Sequence, residues 1–175
     1  MVTNGNGSVT NGNGAATAAD ATNPEFSIQR IYIKDLSLES PSSPQVFRQD
    51  WKPNIDLQIN IDTEKLEDDF YQVILKVTVI AKNSDKIALL IEVQEAGIFM
   101  LKNFSAEQRH QMLGAFCPNI LFPYAREMIS ETALRAGFPP LYLSPVNFDA
   151  IYADQLRKQQ QKPEGDAPDN SGIVV

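Results

Sequence analysis

Gly114-Ala-Phe-Cys-Pro-Asn-Ile-Leu-Phe-Pro-Tyr-Ala-Arg-Glu127 carries two prolines five residues apart, the chain's only cysteine and a dense set of apolar side chains. Pro118 has no backbone N–H and a fixed φ, so it belongs at the first position of a helix, with Cys117 just before it. Leu121, Tyr124, Ala125, Met128, Ile129, Thr132, Ala133 and Ala136 then recur at helical steps, while Arg126, Glu127, Ser130, Glu131 and Arg135 fill the other side. The pattern predicts an amphipathic helix of about five turns. Pro123 opposes the carbonyl of Asn119 and should kink it. Gly137 and Pro139-Pro140 end it.

Upstream of this helix the period changes from helical to two. Phe26 to Leu38 alternates, and near its end Leu36 and Leu38 share one face while Asp35, Ser37 and Glu39 share the other. Ile55, Leu57, Ile59 and Ile61 alternate with polar residues as a half-buried strand. Tyr71 to Ala81 is rich in Val, Ile and Thr and reads as a third strand, joined through Lys82-Asn-Ser-Asp85 to a fourth at Lys86 to Ala96. Gly97 is expected to mark a bulge or bend before Ile98 to Leu101. In the fourth strand Leu90, Glu92 and Gln94 share one face and Ile91, Val93 and Glu95 the other, so neither is wholly apolar. A sheet with helices on one side and a partly apolar second contact surface suggests an oligomer interface, which is assigned to Ile91 and Val93.

A short helix is expected over Ser105 to Ala115, capped by Ser105 with Gln108, and a last one after Asn147 with Phe148, Ile151, Tyr152 and Leu156 in one stripe. The fold class is therefore α+β: a four-stranded antiparallel sheet with a long kinked helix and a shorter C-terminal helix on one face. Residues 1–24, rich in Asn, Gly, Ala and Thr, bury too little to order and are expected to be a disordered extension. The folded domain covers 25–160, and the polar tail 161–175 is expected to be disordered.

Composition narrows the function. Fifteen basic against 22 acidic side chains give a net charge of −7, which argues against nucleic acid and anionic membranes and favours basic partners. No apolar run is long enough to span a bilayer and the N-terminus has no signal-peptide pattern, which places the protein in the cytoplasm. One cysteine and one histidine leave a disulfide impossible and a metal site short of ligands, so no cofactor is expected. Cys117 with His110 is the only pair from which a nucleophile could be built, and a small cysteine-dependent hydrolase is the alternative from a different class. No catalytic residues are assigned. Two proline-rich loops, Ser40 to Pro53 and Phe138 to Val146, carry Phe47, Trp51, Leu141 and Leu143. Side by side, they would form an apolar groove able to repack around many extended segments. From Asp35 to Asp69 there are nine acidic and three basic side chains, so this half of the sheet is acidic.

The run Cys117-Pro-Asn-Ile-Leu-Phe-Pro-Tyr-Ala-Arg-Glu127 resembles the signature of the SecB family of bacterial protein-export chaperones. Ile28-Gln-Arg-Ile-Tyr-Ile-Lys-Asp35, Glu92-Val-Gln94 with Gly97-Ile-Phe99, and Pro145-Val-Asn-Phe-Asp-Ala150 resemble it in the same order. The resemblance, covering Phe26 to Leu156, implies a homotetramer built as a dimer of dimers. It further implies a holdase that needs no nucleotide, binds unfolded precursor polypeptides and passes them to the translocase motor SecA. It places SecA's basic, zinc-holding C-terminal segment on Asp35, Glu39, Leu90 and Glu92. The precursor is placed over the two loops and the main helix, against Phe47, Trp51, Leu141, Leu143, Tyr124 and Met128. A SecB-like chaperone serving a toxin–antitoxin pair is the alternative within the same class. Two departures stand out: Phe116 replaces the usual Tyr, and the tail from Arg157 to Val175 has three basic and three acidic residues where many members are markedly acidic.

Overall fold

Period-two alternation builds the sheet. In the computed structural model, which describes residues 23–161 and 173–174, β1 (Glu25–Glu39), β2 (Asn54–Lys65), β3 (Phe70–Asn83) and β4 (Lys86–Lys102) form one antiparallel sheet in the order β1-β4-β3-β2. A two-residue strand, β5 (Ile173–Val174), pairs with Gln58 and Ile59 on the outer side of β2. These two residues belong to the tail expected to be disordered, and they are paired. Residues 162–172 and 175, like residues 1–22 of the extension expected over 1–24, lie outside the described residues.

Adjacent strands place matching residues opposite one another. Leu75, Val77 and Val79 of β3 stand opposite Glu95, Val93 and Ile91 of β4 on one face, and Ile61, Ile59 and Leu57 of β2 complete the rows. This face is covered by helix. Alternate positions, including Gln58, Thr78 and Glu92, point to the other face. β1 pairs along the outer side of β4 with two register irregularities, between Ile28 and Arg30 and between Ile33 and Asp35.

The helical layer differs from expectation at its start. α1 (Ala106–Gln111) opens with the expected capping box, in which the Ser105 side chain accepts from the Gln108 N–H and the Gln108 side chain accepts from the Ser105 N–H. It does not stop before Pro118. A π-helical turn at Met112–Phe116 carries the chain directly into α2 (Cys117–Arg135), so Ala106 to Arg135 is one continuous helix. Phe116 and Cys117, expected in a break, both have right-handed helical dihedrals. The wider turn is where the helix absorbs a proline, since Pro118 lacks the donor and crowds the carbonyl of Gly114. Pro123 lies inside α2, as the sequence places it.

α2 packs on β4 and β3 through Cys117, Leu121, Ala125, Ile129 and Ala133, all fully buried. At Gly97 it packs tightly on the sheet through Leu121. β4 continues through this glycine with its pairing to β3 in register, so the bulge the sequence allowed does not occur there, and a Cβ would lie 2.6 Å from the Phe99 ring and 3.1 Å from Leu121. The missing side chain makes room for the ring, whose own exposure is 0%. Ile91 and Val93, expected at an oligomer interface, are buried at 0% and 1% within the chain's own core. They have no surface left for a partner because they sit on the helix-covered face. Gly137 ends the helix at φ 87, and the Phe138 N–H closes it by donating to Ala133 O at 3.0 Å. α3 (Phe148–Gln161) then docks with Phe148 against Phe122, ring centroids 5.7 Å apart.

Candidate functional site

Both proline-rich loops converge on one ring. Phe138 leaves the end of α2 and is only 3% exposed. Its centroid lies 5.0 Å from that of Phe47 and 5.1 Å from that of Trp51, so a residue of the second loop packs on two aromatics of the first. Phe47 also covers Gly137, whose absent Cβ would meet its ring at 3.6 Å. The first loop is held down separately. Val46 is buried, Ser40 and Ser42 hydroxyls donate to the carbonyls of Ala88 and Ile87, and Asn83 receives the Lys52 N–H and donates to Asp50 O.

Beside this cluster lies an open cleft of about 550 Å³ between β2 and the second loop. Ile55 and Leu57 form one wall, Leu141, Leu143 and Val146 the other, and Ile151 of α3 closes an end. Its lining is mainly apolar, with Tyr142 standing 85% exposed at the rim. Leu141 and Leu143 line this cleft, but its other wall is β2 and not the first loop that the sequence had suggested; Phe47 and Trp51 pack on Phe138 outside the lining. Tyr124 and Met128 sit on α2 and are not part of the cleft lining. The sequence did not single out Ile55, Leu57, Phe138 and Ile151. Ile55 and Leu57 looked like ordinary core residues of an alternating strand, but β2 is at the sheet's edge and the helix layer does not reach its first residues.

The opposite face of the sheet is mixed: Ile74, Ile80, Leu90 and Ile98 share it with Gln72, Lys76, Thr78 and Glu92. Glu39 stands directly across from Leu90, and Glu92 across from Ser37, which lies between Asp35 and Glu39 on the same side of β1. Diagonal neighbours in such a pair are about 7 to 8 Å apart, so Glu92 faces both β1 carboxylates. All three acids are exposed, and Leu90 is half-buried beside them. Thr78 donates to Glu92 at 3.4 Å. Three lysines that reach this face are engaged elsewhere: Lys76 with Asp62 at 2.5 Å, Lys82 with Asp56 at 2.9 Å, and Lys34 donating to the Gln72 side-chain oxygen at 3.4 Å. Among the described residues no ion pair involves Asp35, Glu39 or Glu92. The arrangement is a compact acidic patch with an apolar neighbour.

Residues 19–160 match the family described as "Preprotein translocase subunit SecB". The chain belongs to the SecB family. Its relatives include the protein-export protein SecB of Ectopseudomonas mendocina, 52% identical over 152 residues, 87% of this chain and 94% of that protein. The protein-export protein SecB of Pseudomonas putida is 51% identical over 151 residues, 86% of this chain and 92% of its own length. Among solved structures, the Mycobacterium tuberculosis SecB-like chaperone in complex with a ChAD peptide from an antitoxin has a TM-score of 0.57. That likeness covers 69% of this chain and 87% of that one at 17% identity, and it bears on the fold. SecB membership agrees with what the lone cysteine can do. Cys117 is completely buried, and burial pushes its thiol up to about 12, so the attacking thiolate of a hydrolase does not form there near neutral pH. His110 is engaged through Nδ1 with the Tyr152 hydroxyl at 2.6 Å. No helix among the described residues is long and apolar enough to cross a membrane.

Proposed function

We propose that this protein is a cytoplasmic, nucleotide-independent holdase for export precursors, with clients in the cleft and the translocase motor SecA on the acidic face. The observation that carries the client reading is the apolar cleft whose loops are braced by the Phe47–Phe138–Trp51 cluster. Such a cleft offers apolar contact to extended chains of varied sequence and no fixed shape that selects one of them. The motor reading is supported by Asp35, Glu39 and Glu92, gathered beside Leu90 and without cationic partners among the described residues. A basic segment would complete their charges, and Leu90 would receive an apolar side chain.

A homotetramer is part of the same reading, with Ile91 and Val93 excluded from its contacts. On the helix side of β1, Ile28, Ile33, Leu36 and Leu38 are 46%, 42%, 40% and 38% exposed. Four large aliphatic side chains in a row along an edge strand favour burial against a second copy. Export rather than toxin–antitoxin service is favoured by the export relatives at 51–52% identity.

One experiment tests both faces. Refolding of a slow-folding secretory precursor is followed in nucleotide-free buffer with wild type and with an Asp35→Asn/Glu39→Gln/Glu92→Gln triple variant. Both should arrest refolding. The variant should bind the basic C-terminal segment of SecA about tenfold more weakly, from three exposed charge pairs at about 0.5 kcal/mol each. Unarrested refolding by wild type would sink the holdase reading, and unchanged affinity for the segment would sink the docking face.

A further inference from the structure

The outer edge of β2 forms part of the cleft's boundary, and it is not empty. β2 is bonded to β3 along its whole length from Asn54 to Lys65, whereas among the described residues its other edge carries only β5, paired at Gln58 and Ile59. Gln58 directly follows Leu57, and Ile55 and Leu57 are the β2 wall of the cleft. An extended polypeptide that puts side chains into this cleft brings its backbone to the same edge, where adding a strand satisfies its N–H and C=O groups. The chain's own Ile173–Val174 already makes that kind of contact.

We propose that Ile173–Val174 is an internal competitor: a strand latch that occupies the β2 edge between clients and must leave it for an extended client to bind fully. The inference rests on the reading of the cleft as the client site. The sequence is suited to the task. Ile173, Val174 and Val175 are β-branched strand formers, and Lys162 to Gly172 is a polar connection with two prolines and two glycines that favours neither helix nor core. Those eleven residues reach at most about 36 to 40 Å when extended, short enough to hold the latch at an effective concentration on the order of millimolar near its edge. A two-residue ladder is weak by itself. Tethering makes it a standing competitor, yet one that a longer client segment displaces by forming more of the same bonds. A latch closed about two-thirds of the time weakens apparent client affinity about threefold. Its effect would be to reject short or partly folded segments while admitting long unfolded ones.

The test uses a reduced, alkylated and fluorescently labelled polypeptide that cannot fold. It is titrated against the full chain, a chain ending at Gln161, and a full-length Ile173→Pro/Val174→Pro variant, which keeps the tail but cannot pair it. Hydrogen exchange across Gln58–Ile59 is measured on the same three proteins. The proposal expects both variants to bind about threefold tighter and to exchange faster at Gln58–Ile59. Equal affinities, with or without faster exchange, overturn the latch while leaving the cleft as the client site. If none of the three binds the probe, the reading of the cleft fails, and the latch falls with it.

Discussion

Replacing Phe138 by alanine should release both proline-rich loops at once. The ring is 3% exposed and packs on two aromatics of the first loop, at 5.0 and 5.1 Å between centroids. Truncating a buried phenylalanine costs about 3 to 5 kcal/mol, and the two ring pairs place this site in the upper part of that range. At roughly 2 to 4 °C per kcal/mol for a domain of this size, the melting temperature should fall by about 10 °C. Wild type and variant must be compared at one protein concentration, since assembly adds to apparent stability. A second readout is local. Trp51 is the chain's only tryptophan and rests on Phe138, so its emission reports this contact alone. Phe138→Ala should shift that emission to the red, raise its quenching by acrylamide, and weaken client binding because the cleft wall at Leu141 loses its brace. Phe138→Leu, which keeps the volume and loses the ring pairs, should fall between. A melting drop under about 3 °C with unmoved tryptophan emission would refute the view that this ring joins the loops.

Gly97→Ala should lower stability by about 1 to 3 kcal/mol, because the new Cβ would meet the Phe99 ring at 2.6 Å and that ring is enclosed. A lower urea midpoint at unchanged slope would show it, and an unaltered midpoint would mean the ring moves aside freely. Glu95 is 3% exposed on the helix-covered face between Leu75 and Ile33, and burial raises its pKa above the ordinary carboxylate value. The folded chain therefore holds this proton to higher pH than the unfolded chain does. Glu95 costs no stability below the unfolded pKa, and its penalty grows as pH rises from there through the folded pKa. Glu95→Gln should accordingly stabilise more at pH 7 than at pH 4; equal shifts in melting temperature at the two pH values would contradict the burial of a charged group.

The sheet was legible because alternation leaves a period-two record in the residues themselves, and each of the four long strands was found at its place. Misreadings arose where one residue serves two structures. Pro118 suggests a helix start, and only the π-helical turn before it shows how a proline can lie in an uninterrupted helix. Gly97 suggests a bend, but its use is the space it leaves for Phe99. Ile91 and Val93 share a face with Glu95, and that carboxylate made the face look only partly apolar and hence available to a partner. In the structure the carboxylate is buried along with them. One wall of the cleft was legible, in the prolines and large side chains of the second loop, while the first loop, expected as the other wall, does not line it. The β2 wall was not legible, because nothing in the alternation of Ile55 and Leu57 records where the helix layer ends.

The two irregularities in β1 act as phase shifts. The residues opposite the helix-side row of β4 are Phe26 and Ile28, then Ile31 and Ile33, then Leu36 and Leu38. Even numbers give way to odd and return to even, one change at each irregularity. The acids owe their side of the sheet to the second change: continued without it, the count from Ile33 would turn Asp35 and Glu39 inward and Leu36 and Leu38 outward. Pairing Lys34 into the ladder, where it is now the extra residue, thus amounts to rotating the end of the strand by half a turn. It would put carboxylates toward the apolar layer and Leu36 and Leu38 on the acidic side, although every side chain would still be present in the chain. Deleting Lys34 outright would leave Asp35 opposite Gln94 and each later residue on its present side, so this strand can lose its extra residue but cannot absorb it.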